Sequence, residues 1–95
     1  MPTVVYGDFE WDHAKAAANL AKHGLSFPEA STIFADPCYI VRPDEAHVGR
    51  FFAIGLSGFV RRLTVVHIER GTRVRIISAR KATKTEAQVY ERRRF

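Results

Sequence analysis

The spacing of apolar and polar residues divides the chain into a helical first half and a second half rich in strands. Asp12 indicates the start of a helix because this residue type caps helix N-termini, and Gly24 suits the left-handed position that follows a helix. The elements predicted for the first half are a strand over residues 4–10, a helix between Asp12 and Gly24, a second helix from the Ser26/Glu29 capping box to about Ala35, a strand over residues 38–41 and a loop over residues 42–49.

The second half alternates apolar and polar residues with the period of a β-sheet. Turn residues at Ser57-Gly58 and Gly71-Thr72 separate the predicted strands. The predicted elements are strands over residues 51–56, 63–69 and 73–79, and a last helix over residues 84–94 that begins at a Thr83/Glu86 capping box. This order predicts an α+β fold: a mostly antiparallel sheet with two N-terminal helices and a C-terminal helix. A length of 95 residues predicts a single domain, residues 1–95.

The loop between the last two predicted strands sets their register. If this loop has two residues, His67 faces Ile76 and Leu63 faces Arg80. Because side chains alternate between the two faces of a strand, His67, Glu69 and Arg80 would then share one face. A one-residue change in the loop would exchange these partners.

Charge is distributed unevenly between the two halves. Residues 1–48 contain three basic and seven acidic residues, whereas residues 49–95 contain twelve basic and three acidic residues, and the net charge is +5. All but two of the basic residues in the second half are arginines, whose planar guanidinium grips phosphate in two places and stacks on bases. This pattern favours RNA, DNA or an acidic protein as the ligand. The alternative is a solvated surface that keeps the protein soluble.

Composition disfavours several other classes of protein. No apolar run approaches the ~18–20 residues of a membrane span, and the N-terminus lacks the apolar segment of a signal peptide. Cys38 is the only cysteine, so no internal disulfide forms and the cytoplasm is the expected compartment. The four histidines lack metal-ligand spacing and no glycine-rich phosphate loop is present, so neither a metal nor a cofactor is predicted.

The remaining residue types suit cleavage of RNA without a metal ion. This reaction needs a base for the 2′-hydroxyl, cations for the phosphate oxygens and an acid for the leaving oxygen. Histidine serves as base or acid near neutrality, while arginine and lysine hold the phosphate. The alternative for the histidine in the middle of a strand is a half-buried structural residue. The residues predicted to be catalytic are His67, Glu69, Arg80 and Lys81.

Further residues are candidates for binding RNA. Two lysines, an asparagine and a histidine fall on one stripe of the first predicted helix, a pattern that is more often a solvated helix face. Two arginines of the predicted sheet are candidate phosphate contacts. A tyrosine of the last helix is a candidate stacking platform or proton relay, with core packing as the stronger alternative. The RNA-binding candidates are Lys15, Asn19, Lys22, His23, Arg50, Arg75 and Tyr90.

Two runs of residues resemble the family of BrnT toxins. The first opens with Phe9-Glu10-Trp11-Asp12 and continues through Lys22-His23-Gly24 to Asp36-Pro37, and the second contains the unbroken stretch R-I-I-S-A-R-K-A-T over residues 75–83. The resemblance covers nearly the whole chain in order. It implies a ribonuclease toxin of a type II toxin–antitoxin system with a RelE-like fold, which cleaves RNA without a metal and inhibits translation. It also implies a BrnA-like antitoxin with a ribbon-helix-helix DNA-binding part, typically two bound to two toxins.

The resulting hypothesis is a metal-independent endoribonuclease toxin of the cytoplasm. The assignment of base and acid among His23, His67 and Glu69 is open. A competing hypothesis is a non-catalytic basic module that binds an acidic protein partner or nucleic acid. Such a module would bind in a manner that weakens steeply with salt and would release no cleaved product. A toxin that survives only as an inactive scaffold is a further alternative.

Overall fold

The computed structural model describes residues 2–94 and contains one mixed sheet flanked by helices. Its elements are β1 (Thr3–Tyr6), β2 (Phe9–Asp12), α1 (His13–His23), α2 (Phe27–Ser31), a 3-10 helix (Thr32–Ala35), β3 (Ile40–Pro43), β4 (Arg50–Leu56), β5 (Arg62–Arg70), β6 (Arg73–Lys81) and α3 (Lys84–Arg94). The strand order is β1-β2-β6-β5-β4-β3, and within the described residues β2 and β6 form the one parallel pair. The predicted α+β class and mostly antiparallel sheet are confirmed. No helix within residues 2–94 has the length and apolar character needed to cross a bilayer.

The N-terminal segment is a hairpin, so the prediction of a single strand over residues 4–10 is wrong. β1 and β2 are antiparallel, with Tyr6 opposite Phe9. The connection is the pair Gly7-Asp8, and Gly7 has a φ of 60°, a conformation that glycine adopts at little cost. A glycine at the first position of a two-residue loop favours a hairpin turn, which a continuous strand pattern conceals.

The first two helices begin at the predicted caps. The Asp12 side chain accepts a hydrogen bond from the Lys15 backbone N–H, and the Ser26 side chain accepts one from Glu29. The second helix is shorter than predicted, because α-helical geometry ends at Ser31 and a 3-10 helix follows. The hydroxyls of Ser31 and Thr32 donate to backbone carbonyls three residues earlier, both at 2.6 Å, and such local bonds compete with the α-helical pattern.

The strand that follows these helices begins later than predicted, at Ile40 instead of residue 38. The Asp36 carboxylate accepts a hydrogen bond from the Cys38 N–H at 2.9 Å, and the Asp36 carbonyl accepts one from Tyr39. These contacts hold residues 36–39 in a turn, which delays entry into the sheet.

One face of the sheet, here called the core face, packs against α1, α2 and the 3-10 helix. Its side chains alternate along each strand, as the pairs Trp11–Ile76 and Val65–Ala79 show. Full burial of a Leu, Ile or Phe side chain contributes ~1.5–3 kcal/mol. The buried cluster that joins this face to the helices consists of Trp11, Leu25, Phe27, Ala30, Ile33, Ala53, Leu63, Val65, Ile76 and Ala79.

A β-bulge separates the two halves of the β5–β6 hairpin. The predicted pairing of His67 with Ile76 is confirmed, but Val66 pairs with Ser78, which leaves Ile77 without a partner across the ladder. The extra residue reverses the alternation beyond it. The prediction that Leu63 faces Arg80 is therefore wrong.

Helix α3 spans the predicted residues and packs on the face opposite the core face. Thr83 and Glu86 cap it reciprocally, as the capping-box spacing predicts. Its one fully buried side chain, Tyr90, donates a hydrogen bond to Asp36 at 2.5 Å. Burial, together with the Asp36 carboxylate, raises the pKa of Tyr90 to about 12. The helix covers only part of this face, so the rest of the surface is accessible.

Candidate functional site

The part of the sheet that α3 leaves uncovered presents a basic surface, here called the open face. Strand pairing aligns Arg50 with Ile68, Ile68 with Arg75, and Arg75 with Glu10 in one row across four strands. A neighbouring row contains apolar side chains at its centre. The open face consists of Glu10, Arg42, Arg50, Phe52, Val66, Ile68, Arg75, Ser78 and Arg80.

A buried carboxylate organises the first row. Glu10 is only 7% exposed, and its Oε2 accepts a hydrogen bond from Arg75 Nη1 at 2.5 Å. Arg70 Nε lies 3.9 Å from the same oxygen. Among the described residues, Arg50 at the other end of the row forms no ion pair. The row therefore presents one guanidinium fixed by a carboxylate and one that is available to an anion.

A second arginine–carboxylate pair lies at the border between the open face and α3. Arg80 donates to Glu86 through two nitrogens, at 2.6 and 3.0 Å, in the forked geometry that guanidinium offers to carboxylates and phosphates. The Thr64 hydroxyl donates to Glu86 as well, at 2.9 Å. The hydrogen bonds from Arg80 hold the pKa of Glu86 down at about 2, so this carboxylate is an anion at neutral pH. The Glu86 carboxylate likewise raises the pKa of Arg80.

A cleft of about 390 Å³ lies beside Glu86. Half-buried Phe52 and buried Ile54 provide its apolar wall, and its charged groups are one arginine, Arg42, and two carboxylates, Glu45 and Glu86. Aromatic rings stack on nucleic-acid bases while neighbouring guanidiniums bind the backbone phosphates. Phe52 thus offers a stacking surface for a base, and the arginines of the open face outside the cleft offer contacts for phosphates.

His67 lies on the core face, away from this cleft. It is 4% exposed, and its ring lies between Phe34 and Phe51, at centroid distances of 5.2 and 5.8 Å. Neither ring nitrogen has a hydrogen-bond partner among the described residues. Burial lowers the pKa of His67, so the imidazole is neutral at pH 7. RNA has no access to this ring in the structure.

The four residues predicted to be catalytic do not form one cluster. Arg80 pairs with Thr64 across the ladder, and both contact Glu86 on the open side, so the prediction that His67, Glu69 and Arg80 share a face is wrong. The bulge at Ile77 is the cause. Lys81 and Glu69 are exposed at opposite ends of the β5–β6 hairpin. The open face therefore retains Arg80 alone from this set.

The predicted RNA-binding stripe on α1 divides into exposed and buried residues. Lys15, Lys22 and His23 are exposed and line a shallow pocket of about 240 Å³ with Ile77 and Ser78. This pocket adjoins the bulge, where β2 has ended and no strand within residues 2–94 pairs with that edge of β6. Because Ser78 belongs to the open face as well, the basic stripe and the open face meet at this edge.

Asn19, predicted as an RNA contact, has a structural role instead. It is 7% exposed, and its amide nitrogen donates to the carbonyls of Leu25 and Ala79, at 3.0 and 2.9 Å. Its amide oxygen accepts from the Ala79 N–H at 3.1 Å. The Asn19 side chain thereby makes the hydrogen bonds to β6 that a neighbouring strand would otherwise make. Both hydrogens of its amide nitrogen are used.

Tyr90 is also unsuited to its predicted role as a stacking platform, because its ring is only 1% exposed. Conversely, sequence reasoning did not identify Glu10, Phe52 and Glu86 as parts of a site. Glu86 was visible as a capping residue, but its contact with Arg80 depends on how α3 packs. Within residues 2–94, no three histidine, cysteine or acidic side chains are grouped so as to hold a metal ion.

Comparison with known proteins identifies a related family. Residues 11–86 match the sequence model of a family described as "Ribonuclease toxin, BrnT, of type II toxin-antitoxin system". The fold is similar to the crystal structure of the Brucella abortus ribonuclease toxin BrnT, with a TM-score of 0.64 and 28% sequence identity, covering 78% of this chain and 94% of that chain. No curated protein matches the sequence. The matched range includes Phe52, Arg75, Arg80 and Glu86 of the cleft and its surroundings.

Proposed function

Because this chain belongs to the BrnT family of ribonuclease toxins of type II toxin–antitoxin systems, we propose that it cleaves RNA on the open face without a metal ion. The observation that carries this proposal is the placement of Arg50, Arg75 and Arg80 on the same face of the sheet as Phe52, which lines a cleft there. Guanidiniums at these positions neutralise the charge that develops on the phosphate oxygens in the transition state.

The two paired arginines are prepared for this task by the carboxylates that hold them. Glu10 and Glu86 fix the guanidiniums of Arg75 and Arg80 before substrate arrives, so little ordering is needed when RNA binds. Each guanidinium has five N–H donors, so those that its carboxylate does not use remain available to a phosphate oxygen. Arg50 supplies a guanidinium whose charge no described side chain balances.

The exposed residues of α1 extend the RNA-binding surface. Lys15, Lys22 and His23 lie beside the bulge of β6, where the open face ends. A strand of RNA that leaves the cleft over this edge passes these cations. Each phosphate that they neutralise contributes to affinity in a salt-dependent manner.

The cellular role follows from the family in the same way. Cleavage of RNA in the cytoplasm inhibits translation, and an antitoxin binds the toxin to prevent it. We infer that this antitoxin is BrnA-like, with a ribbon-helix-helix part, and that two copies bind two toxins. We also infer that the single domain has a RelE-like fold.

The test uses the purified chain with RNA, with and without a chelator such as EDTA. We expect cleavage at an equal rate in both conditions, and loss of cleavage when the antitoxin is added in equal amount. Loss of cleavage on chelation would contradict the metal-free mechanism. Salt-sensitive RNA binding with no cleaved product at all would favour the non-catalytic module instead.

A further inference from the structure

The proposed reaction needs a group that moves a proton, and the arginines of the open face do not supply one. This inference rests on the proposed ribonuclease function. His67 is enclosed in the core, and His13 and His23 lie at the two ends of α1. The fourth histidine, His47, lies in the loop between β3 and β4, and this loop leads directly into Arg50 of the open face.

Backbone hydrogen bonds close this loop tightly. The Asp44 N–H donates to the Arg50 carbonyl at 2.8 Å, which continues the β3–β4 register by one pair. The Arg50 N–H donates to the His47 carbonyl at 3.1 Å, and the His47 N–H donates to the Asp44 carbonyl at 3.2 Å. By strand alternation, Asp44 is on the same face as Arg42 and Arg50. The loop therefore places His47 at the end of the arginine row.

The Asp44 carboxylate both braces the loop and orients the imidazole. Its Oδ1 accepts a hydrogen bond from the Ala46 N–H at 2.9 Å, and its Oδ2 lies 3.3 Å from His47 Nδ1. The Asp44 side chain is 12% exposed, whereas that of His47 is 59% exposed. Nε2 of His47 has no partner among the described residues and is open to solvent. A carboxylate beside Nδ1 favours the tautomer that carries its hydrogen on Nδ1 and leaves Nε2 to accept a proton.

We propose that His47, oriented by Asp44, is the general base of RNA cleavage. Nε2 takes the proton of a ribose 2′-hydroxyl, and the 2′-oxygen forms a bond to the adjacent phosphorus. The bond between phosphorus and the 5′-oxygen breaks, and that oxygen takes a proton from solvent. The products are a 2′,3′-cyclic phosphate and a 5′-hydroxyl, with no oxidation or reduction. Arg50 lies opposite Asp44 in the hairpin, so its guanidinium is attached to the same end of the strand pair as His47.

The experiment compares His47→Ala and Asp44→Asn with His13→Ala in the full chain. His13 is an exposed histidine at the start of α1, outside the site, and it serves as the matched control. Steady-state cleavage of a short RNA at several concentrations gives kcat and KM across pH 5–9, and folding is checked by circular dichroism. General-base catalysis typically contributes 10²–10⁴-fold. We expect kcat to fall by that factor for His47→Ala, with KM nearly unchanged, and to keep the wild-type value for His13→Ala.

The pH profile separates catalysis from a structural role. In the wild type, kcat should depend on pH, and His47→Ala should abolish the part of that dependence that proton transfer to His47 causes. Asp44→Asn should lower kcat by a smaller factor and shift the profile, since the amide no longer selects the tautomer. The charged groups that share the loop region, Glu45 and Arg50, are unchanged in both variants.

Three results would overturn the inference. One is a folded His47→Ala variant with wild-type kcat and pH profile, and another is a change in KM alone, which would make His47 a binding residue. In either case the proposed ribonuclease function would stand, because the wild type still cleaves RNA. The third is absence of cleavage by the wild type itself, which would overturn the proposed function and this inference together.

Discussion

The two faces of the sheet use charged and titratable side chains in opposite ways. On the core face, His67 is surrounded by aromatic rings and makes no hydrogen bond within the described residues. On the open face, Arg75 and Arg80 each hold a carboxylate in short, directed contacts beside an accessible cleft. Burial keeps the imidazole of His67 out of reach of a substrate. The ion pairs with carboxylates keep Arg75 and Arg80 charged and fix their orientation. The open face is therefore the surface on which we place the reaction.

The extra residue of the bulge, Ile77, determines which side chains of β6 lie on the core face and which lie on the open face. Before the bulge, His67 and Ile76 face each other, and after it Thr64 and Arg80 do. Without the extra residue at Ile77, Arg80 would point toward the helices, where an unpaired charge is costly. The bulge thus places Arg80 on the open face, in agreement with the frequent occurrence of bulges near active sites.

Among the residues of the two faces, the largest effect is expected for the arginine that the bulge places on the open face. Arg80→Ala should reduce the rate of RNA cleavage by ~10²–10³, the usual loss when a transition-state donor is removed. Lys84→Ala, an exposed cation of α3 outside the site, is the control and should retain wild-type activity. Single-turnover cleavage measures both. A folded Arg80→Ala variant with an unchanged rate would remove the open face from the mechanism.

A smaller but clear effect is expected on the core face, in stability instead of activity. Asn19→Ala leaves the buried N–H and C=O of Ala79 without partners, and each unsatisfied group costs ~1–3 kcal/mol. We expect the free energy of unfolding in urea to fall by about 2–4 kcal/mol. Lys15→Ala, on the exposed side of the same helix, should change it by less than about 0.5 kcal/mol. Equal stability of Asn19→Ala and wild type would restore Asn19 as a candidate RNA contact.

The buried histidine should make stability depend on pH. Burial lowers the pKa of His67 below its ordinary value of 6.5, so the unfolded chain binds a proton more readily than the folded one. The contribution of neutral, buried His67 to the free energy of unfolding is fully present above pH 6.5. As the pH falls below this value, the free energy of unfolding decreases by at most about 1.4 kcal/mol per pH unit. His67→Leu should flatten that dependence and retain RNA cleavage. Urea unfolding at pH 5 and 7.5 measures the first effect, and an inactive but folded variant would contradict the second.

The smallest effect is expected at the edge of β6, where the basic stripe of α1 meets the open face. Lys22→Ala should weaken RNA binding only a few-fold, because one phosphate contact is lost. The dependence of log K on log salt should become shallower by ~0.7, the value for one phosphate of a single strand. Fluorescence anisotropy with a labelled oligonucleotide at several salt concentrations measures this slope. An unchanged slope would limit the RNA-binding surface to the open face.

The sequence predicted those features that depend on near neighbours. Caps at Asp12, Ser26 and Thr83 each involve residues three apart, and all three are present. The end of the β5–β6 hairpin followed from its two-residue loop, and His67 pairs with Ile76 as predicted. Local hydrogen bonding fixes these features, so they can be inferred from short stretches of chain.

Features that depend on distant packing were not predictable in this way. The bulge is marked in the sequence by two adjacent isoleucines, Ile76 and Ile77, but the predicted register assumed unbroken alternation, so the predicted site joined side chains from both faces. The contact of Glu10 with Arg75 links residues 65 positions apart through the parallel β2–β6 pair. Which face the helices cover decided whether His67 or Arg80 is accessible, and no local pattern reports that choice.

The most direct test of the open face as the RNA-binding surface is photocrosslinking with a substrate that cannot be cleaved. An oligonucleotide with 2′-deoxyribose at the cleavage position and 4-thiouridine beside it is irradiated with the full chain, and mass spectrometry identifies the crosslinked peptides. The account predicts crosslinks in β4 and β6, at or beside Phe52 and Arg80. Crosslinks confined to α2, the 3-10 helix or the Glu69 end of the core face would contradict it.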